Sequence, residues 1–185
     1  MVNAELNKGK ILVAEPSILN DNSFNRSVIL LSEHNDNGSV GFILNKPSRF
    51  TIADLIPEIE STHLIYDGGP VSKENLYFIH SIPNLIPNSI AINDTIYWSG
   101  DFDVVKDLLN SNLIKENRIR FFLGYTGWSF NQLSDEMKTK SWMIKNNEYE
   151  NILSVAPTSF WRNELIKSGG EYQIWANSPE DPTMN

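Results

Sequence analysis

Short apolar runs separated by polar turns dominate the first quarter of the chain. The run 11–14 predicts one strand. The run 27–32 predicts a second strand that is apolar throughout its centre, and therefore buried on both faces. The turn Asn35–Gly38 is rich in residues that tolerate left-handed backbone angles, and the apolar run 39–44 follows at once. This order predicts a β-hairpin.

Capping residues and helical spacing predict two helices in the middle of the chain. Thr51 begins the first, and Pro57 keeps it short because a proline disfavours helical geometry at the residue before it. Asp101 or Ser99 begins the second. Its buried face is formed by apolar residues at helical spacing, namely Val104, Val105, Leu108 and Leu109.

Glycine-rich stretches follow two of the predicted strands. Strands 64–66 and 76–79 flank the turn Asp67–Pro70, and strand 118–123 leads into the stretch Gly124–Trp128. Backbone amides in either stretch could bind an anion, through a nest in the first and a helix N-terminus in the second. Tight-turn geometry is the favoured interpretation of both, because glycine turns are common without ligands.

One helix is predicted directly after the second glycine stretch, and another near the C-terminus. Ser129 and Gln132 have the spacing of a capping box, while Glu136 and Lys140 have the spacing of a surface i,i+4 pair. The apolar stripe of this helix is formed by Phe130, Leu133 and Met137. The last helix is predicted over 158–168, where a pair of glycines ends it.

Strands and helices alternate irregularly, and at least one pair of strands forms a hairpin. This order predicts an α/β fold of the mixed α+β type, with a partly antiparallel sheet rather than a regular doubly wound one. No linker is long enough to divide the chain, so residues 1–185 are predicted to form a single domain. Its ends, 1–8 and 177–185, are predicted to be flexible, since terminal residues order poorly and the second is polar with two prolines.

The amino-acid composition limits the cellular compartments and the classes of partner that fit this chain. The chain has no cysteine, which excludes disulfides and thiolate sites and fits a reducing compartment. No signal-peptide pattern opens the sequence and no apolar run approaches the ~20 residues that span a bilayer, so we expect a cytoplasmic protein with no membrane partner. The net charge of −8 and the scatter of the 15 Lys and Arg residues argue against direct nucleic-acid binding.

Candidate catalytic and metal-binding groups are few. The histidines, His34, His63 and His80, have no spacing that would pair two imidazoles on one helix face. Asp101 and Asp103 could bind Mg²⁺, but acidic residues at a helix start also interact favourably with the helix dipole, and this second interpretation is favoured. Neither standard phosphate-loop motif nor a serine-hydrolase turn is present. The sequence therefore predicts no metal and no cofactor.

Three groups of short segments occur in a characteristic order. The first is Gly9–Pro16, continuing through Asp21, Phe24–Leu31, Glu33 and His34 to Gly38, Gly41 and Asn45–Pro47. The second is Gly68–Val71, and the third is Gly124–Trp128 followed by Gln132, Leu133, Glu136 and Trp142. Their order and spacing resemble the AlgH/YqgE-like family of bacterial proteins over most of the chain, up to the helix around Trp161.

The resemblance implies a compact α/β fold with a branched sheet, part of it closed into a small barrel, and helices packed around it. It implies no mechanism, because the family has no settled catalytic residues. Some members are labelled transcriptional regulators through a link to alginate production, but the acidic charge and the lack of a helix-turn-helix give that label little support here. Thr126, Ser129 and Ser134 depart from the alanine, glycine and acidic residue that the family often has at these positions.

The leading hypothesis is a non-enzymatic binding or regulatory protein whose partner is a small molecule or another protein. Its site is predicted to bring residues at strand ends together with the two glycine stretches: Arg26, Glu33, His34, Asn45, Gly68, Gly69, Tyr125 and Trp128. The alternative is a hydrolase or transferase that uses Glu33 with His34 or His80 as acid and base. A DNA-binding regulator is a third hypothesis, disfavoured by the charge, and the oligomeric state is left open.

Overall fold

A computed structural model describes residues 5–179, and this part of the chain contains ten strands and five α-helices. The strands are β1 Ile11–Ala14, β2 Val28–Asn35, β3 Gly38–Ile43, β4 Pro47–Thr51, β5 Leu64–Asp67, β6 Val71–His80, β7 Ile90–Ala91, β8 Tyr97–Trp98, β9 Ile119–Trp128 and β10 Trp142–Lys145. The helices are α1 Ile52–Leu55, α2 Phe102–Asn110, α3 Gln132–Lys138, α4 Pro157–Ser168 and α5 Tyr172–Ala176. Short 3₁₀ turns lie at Pro16–Ile18, Glu116–Arg118 and Ile152–Ser154.

Strand β9 lies at the centre of the sheet and joins its two halves. Hydrogen-bonded neighbours run in the order β10-β1-β2-β3-β9-β6-β8-β7, and β5 adds a branch that also holds β4. β5 pairs with residues 121–123 of β9, whereas β3 pairs with residues 126–128. The β5–β9 pairing is parallel, and the other pairings among the described residues are antiparallel. The predicted mixed α/β fold with a branched, partly antiparallel sheet is therefore confirmed.

The sheet does not close on itself. Within the described residues, β10 and β7 end the path of neighbouring strands without pairing with each other. The barrel-like part that the family resemblance implies is therefore not a closed barrel in this protein. Register shifts between Leu31 and Glu33 of β2, and between Val71 and Leu76 of β6, bend the strands locally, as β-bulges do.

Alternate side chains of β9 enter two hydrophobic cores, since successive residues of a strand point to opposite faces. Phe122 is fully buried in the larger core, which also contains residues of β1, β2, β3 and α4. Phe121 is fully buried in the smaller core, together with Val105 and Leu109 of α2. Burying such a side chain contributes roughly 1.5–3 kcal/mol, so β9 stabilises both layers of the fold at once.

Most elements predicted from local pattern are present. β2 and β3 form the predicted hairpin, and Thr51 shares a capping box with Asp54 at the start of α1. The Asp101 carboxylate caps α2 by accepting from the amides of Asp103 and Val104, at 3.1 and 3.3 Å. The short elements β4, β7, β8, β10 and α5 are ones that the sequence pattern does not predict. None of the helices in residues 5–179 has the length and apolar character needed to cross a membrane.

The prediction that Gly124–Trp128 is a turn is wrong, because β9 continues through this stretch to Trp128. Gly124 has a φ of +71° and faces the other glycine stretch. A Cβ atom on Gly124 would lie 2.5 Å from the carbonyl oxygen of Gly69, and one on Gly68 would lie 2.3 Å from the carbonyl oxygen of Gly124. The two stretches thus pack backbone against backbone, which only glycine permits at these distances.

The start of α3 also differs from the prediction. The helix begins at Gln132, and its N-cap position is occupied by Asn131, which has a φ of +64°. Ser129 donates its backbone amide and its hydroxyl to the Gln132 side chain, at 3.0 and 3.2 Å, but does not cap the helix. Phe130 lies before the helix and is 60% exposed, so only Leu133 and Met137 of the predicted apolar stripe face the core.

Glu136 attaches α3 to the sheet instead of forming the predicted surface pair with Lys140. Its Oε2 atom accepts the indole N–H of Trp128 at 2.9 Å and that of Trp142 at 2.8 Å. Both tryptophans are buried. A buried N–H group without an acceptor costs about 1–3 kcal/mol, so this carboxylate satisfies two polar groups that the core could not otherwise hold.

The described parts of the two ends contact the rest of the protein. Leu6 packs against the larger core, and the carbonyls of Ser178 and Pro179 accept hydrogen bonds from Arg26. The rest of the predicted flexible ends, residues 1–4 and 180–185, lies outside the described residues. The flexibility of the ends therefore stays a prediction.

Replacement of Gly124 by alanine is expected to destabilise the fold by about 2–5 kcal/mol, the sum of left-handed backbone strain and overpacking. Gly170→Ala is the matched control, because Gly170 also has a positive φ (+56°) but nothing lies within 4 Å of its would-be Cβ atom. The control should cost only about 1–2 kcal/mol. Urea unfolding followed by tryptophan fluorescence measures both free energies, and equal losses would show that the backbone contact does not constrain β9.

Candidate functional site

Three positively charged side chains face one cleft of about 820 Å³. They are Arg26, which precedes β2, Lys46, which precedes β4, and Arg162 on α4. The full lining is Asn22, Asn25, Arg26, Asn45, Lys46, Pro157, Thr158, Trp161, Arg162, Ala176, Asn177 and Ser178. No carboxylate belongs to this lining in the described part of a chain whose net charge is −8. We call it the Arg26 cleft.

Asn45 holds the backbone of Arg26 in an uncommon conformation. Arg26 has a φ of +52°, in the left-handed region that costs a non-glycine residue roughly 1–2 kcal/mol. The Asn45 side chain donates to the Arg26 carbonyl at 2.9 Å and accepts from the Val28 amide at 2.8 Å. These two hydrogen bonds compensate the backbone strain at Arg26.

The Arg26 guanidinium is satisfied by an aromatic ring and by backbone carbonyls. It lies over the Trp161 ring, 4.9 Å from the centroid, and donates to the carbonyls of Ser178 at 3.1 Å and Pro179 at 2.7 Å. Trp161 is itself fixed, because its indole N–H donates to the Ala14 carbonyl at 2.8 Å. Neutral carbonyls are weaker partners for a guanidinium than an anion is.

Two further polar groups in the Arg26 cleft are incompletely satisfied. Lys46 Nζ donates to the Ser23 carbonyl at 2.6 Å, and burial lowers the pKa of Lys46, against the opposing effect of the Asp67 and Asp21 carboxylates. Asn25 Oδ1 is buried and has no hydrogen-bond partner among the described residues. A negative group bound near Lys46 would stabilise the charged form of this side chain.

The start of α4 adds a further positive contribution. Pro157 and Thr158, in the first turn of this helix of 12 residues, line the cleft. The N-cap residue Ala156 has no side chain that could accept from the free amides. Pro157 has no N–H group and the Ser159 amide donates to the Ala156 carbonyl at 3.3 Å, so the helix dipole and the Thr158 amide are what favour an anion on this side of the cleft.

The residues predicted to form one site lie in separate places. Arg26 and Asn45 are in the Arg26 cleft, whereas Glu33, Tyr125 and Trp128 line a depression of about 400 Å³. His34 lines a further depression of about 340 Å³. The reason is strand length: Arg26 precedes β2 and His34 lies near its end, and eight residues of extended chain span roughly 25 Å. Arg26 and Asn45 therefore lie in a different pocket from Glu33, His34, Tyr125 and Trp128, whose two depressions adjoin through Asn35, Gly38 and Ser39.

The glycine stretch before β6 does not offer free amides. The Gly68 amide donates to the Leu123 carbonyl at 2.9 Å, and the Gly69 amide donates to Asp67 Oδ1 at 3.2 Å. Its role in the fold is the close backbone contact with β9 described above. The anion-binding nest considered from the sequence is thus not formed at Gly68 and Gly69.

Glu33, His34 and His80 do not form a shared acid–base pair. His34 pairs with Ser39, which is opposite Trp128 at one end of β9, while His80 is opposite Ile119 at the other end. Nine residues of strand separate these ends by roughly 30 Å. Each imidazole also has a local partner, since His34 Nδ1 lies 2.8 Å from Ser39 Oγ and His80 Nε2 lies 3.1 Å from the Ser99 carbonyl.

His80 is fully buried as a neutral ring. Its Nε2 atom lies near the Ser99 carbonyl and 3.0 Å from Ser89 Oγ, while Nδ1 accepts from the Ile82 amide at 3.2 Å. Burial lowers the pKa of His80, and the hydrogen bond to the Ser99 carbonyl opposes this effect. His63 is also buried, which lowers its pKa as well.

Comparison with known proteins agrees with the sequence resemblance. The model of the AlgH-like family matches residues 11–173. The UPF0301 protein of Cytophaga hutchinsonii is 40% identical over 182 residues, which cover 97% of this chain and 100% of that protein. The UPF0301 protein of Parabacteroides distasonis is 42% identical over 182 residues, covering 96% of this chain and 91% of that protein. The names of these relatives state no reaction, ligand or partner.

Two solved structures share the fold. The crystal structure of a Corynebacterium diphtheriae protein superposes with a TM-score of 0.77 at 20% identity, covering 96% of this chain and 95% of that one. The solution structure of AlgH from Pseudomonas aeruginosa gives a TM-score of 0.73 at 22% identity, covering 97% of this chain and 98% of that one. At these identities the similarity concerns the fold alone.

The free energy of unfolding is expected to decrease as the pH falls from 7 to 5. The folded-state pKa values of His80 and His63 lie below the unfolded value of about 6.5, so the unfolded chain binds the additional protons. The stabilising contribution is full above that value and is lost as the pH falls through the folded pKa values. His80→Gln should flatten the dependence measured by urea unfolding, and a double variant with His63→Gln should flatten it further. An unchanged slope in the double variant would contradict this assignment.

Proposed function

The chain belongs to the AlgH-like family, and we propose that it is a non-enzymatic binding protein whose Arg26 cleft takes a small, phosphate-bearing molecule. The observation that carries the proposal is the convergence of Arg26, Lys46 and Arg162 on one cleft whose lining, among the described residues, contains no carboxylate. Such a concentration of positive charge in a chain of net charge −8 attracts anions to that cleft rather than to the surface in general.

Phosphate is the group that these donors fit best. A phosphate group presents several strong acceptor oxygens, and the cleft supplies two guanidinium groups, an ammonium group and the start of α4 as donors. The cleft volume of about 820 Å³ exceeds what inorganic phosphate needs and is in the range of small-molecule sites.

The lining supports binding rather than catalysis. No histidine, aspartate or glutamate borders the cleft within the described residues, so its walls provide neither an imidazole nor a carboxylate for proton transfer. Most of its polar groups are amides and cations that orient an anion. This composition favours the binding hypothesis over the hydrolase or transferase hypothesis.

A regulatory role is supported by the contact between Arg26 and the end of the described chain. A ligand at Arg26 competes with the carbonyls of Ser178 and Pro179, which the guanidinium now binds. Release of these residues would expose a different surface to a protein partner, which is how a binding event becomes a signal. The negative net charge favours such a partner over direct contact with DNA, and the lack of cysteine supports a cytoplasmic location.

Isothermal titration with phosphate and a panel of phosphomonoesters tests the proposal. Arg162→Gln should weaken binding at least about tenfold, because a hydrogen bond to a charged group contributes about 1.5–3 kcal/mol. Arg162 is exposed and donates only to Asn177 among the described residues, so this variant should remain folded. Arg49→Gln is the matched control, since Arg49 is an exposed arginine outside the cleft.

Two results would contradict the proposal. One is equal affinity in Arg162→Gln and Arg49→Gln, which would place binding elsewhere. The other is the absence of binding to any member of the panel, together with native mass spectrometry that finds no phosphate-bearing ligand on protein purified from its own host.

A further inference from the structure

A second cavity, of about 380 Å³, lies beside the Arg26 cleft and shares Pro157 with it. We call it the Arg120 cavity, after the side chain that β9 contributes to its wall. Arg120 is only 6% exposed. A guanidinium group keeps its charge at any ordinary pH, so a cation is buried here at a considerable desolvation cost.

The protein satisfies only part of this buried cation. Arg120 Nη1 donates to the Leu44 carbonyl at 2.7 Å and Nη2 donates to the Leu153 carbonyl at 2.8 Å, while the guanidinium lies 4.5 Å from the centroid of the Tyr66 ring. A guanidinium has five N–H donors, and these two bonds engage only two of them. No carboxylate forms an ion pair with Arg120 in the described part of the chain.

A second buried polar atom borders the same cavity. His63 is 8% exposed, and its Nδ1 atom lies 2.7 Å from Ser61 Oγ. Its Nε2 atom is buried without a hydrogen-bond partner among the described residues, although the nearby Lys115 carbonyl and Glu116 carboxylate partly offset the lowering of its pKa by burial. An orphaned ring nitrogen costs free energy unless a water or a ligand reaches it.

We propose that the Arg120 cavity binds the carboxylate group of a small apolar organic acid, with Arg120 as its counter-ion and His63 Nε2 as a second polar contact. The carboxylate supplies the negative charge that Arg120 lacks, and its planar shape matches the guanidinium. The apolar wall formed by Leu64, Ile119, Leu153 and Val155 would hold the hydrocarbon part of the acid. This site is separate from the Arg26 cleft and does not depend on it.

The environment favours a carboxylate over a phosphate group. One guanidinium faces this cavity, whereas three cations face the Arg26 cleft. Glu116, which is exposed and also borders the cavity, would repel a dianion more strongly than a monoanion.

Isothermal titration with hexanoate and benzoate tests the proposal, with hexanamide and benzamide as neutral probes of nearly the same size. The acids should bind at least about tenfold more tightly than the amides, since only the acids can pair with the guanidinium. The side chain N–H signals of Arg120 should shift in NMR spectra on addition of the acids. Equal affinity for acid and amide, or no binding of either acid, would overturn the proposal and leave Arg120 as a structural clamp.

Two variants locate the binding. Arg120→Met removes the charge, but it also leaves the buried Leu44 and Leu153 carbonyls without their donor and so destabilises the fold. Ser154→Trp avoids that difficulty, because Ser154 is exposed at the edge of the cavity and a tryptophan there should obstruct it. Ser111→Trp is the matched control, because Ser111 is also an exposed serine at the end of a helical element but lies outside the cavity. Acid binding should fall at least about tenfold in Ser154→Trp and persist in Ser111→Trp.

Arg162→Gln separates the two proposals. Hexanoate binding should be unchanged in this variant, because Arg162 borders the Arg26 cleft and not the Arg120 cavity. Loss of hexanoate binding in Arg162→Gln, with retention in Ser154→Trp, would place the acid in the Arg26 cleft and overturn the Arg120 assignment.

Discussion

Two stretches of backbone that touch at glycine set the arrangement of most of this protein. A side chain on Gly68 or on Gly124 would overlap a carbonyl oxygen of the opposite stretch. The contact holds the connection between β5 and β6 against the middle of β9, so that β9 pairs with β5 and β6 over its first half and with β3 near its end. Because side chains alternate along a strand, this placement also sends Phe121 into one core and Phe122 into the other. Both cores therefore depend on a contact that no side chain makes.

The same contact positions the segment that separates the two cavities. The Ile43 amide donates to the Gly68 carbonyl at 3.0 Å, and the Asp67 amide donates to the Lys46 carbonyl at 2.9 Å, so the chain leaving β3 is attached to the end of β5 on both sides. Between these attachments, the Leu44 carbonyl faces Arg120 and the Asn45 side chain binds the backbone of Arg26. A segment of four residues thus orients the principal cation of each cavity, and its geometry follows from the backbone contact at glycine rather than from the cavities.

Short-range sequence signals predict correctly those elements whose structure is determined by neighbouring residues. The hairpin of β2 and β3, the cap of α2 by Asp101 and the shortness of α1 each follow from neighbouring residues. The errors arise where distant residues decide. The glycine-rich sequence around Gly124 is typical of a turn, but the close contact with Gly69, 55 residues earlier, keeps Gly124 in a strand. Glu136 has the spacing of a surface ion pair, but its carboxylate accepts the indole N–H groups of Trp128 and Trp142 instead. The sequence points to Arg26 and Asn45 as candidate site residues but not to Lys46, Arg162 or Arg120, because no spacing along the chain shows which residues border the same cavity.

The residues that support the two cavities are covalent neighbours. The Leu44 carbonyl accepts from Arg120, and the side chain of the next residue, Asn45, holds the strained backbone of Arg26. A carboxylate that bound the free N–H donors of Arg120 would leave the bond to Leu44 in place, so one site affects the other only if this bond shifts. Any change in anion affinity at Arg26 that follows must be matched by an equal change in acid affinity at Arg120, since coupling between two binding equilibria is reciprocal. The short path through Leu44 and Asn45 needs no rearrangement of the sheet, and Pro157, which borders both cavities, gives a second direct connection. The centre of the sheet around β9 therefore provides a fixed frame, and the segment between the cavities is the part through which binding at one cavity would change the affinity at the other.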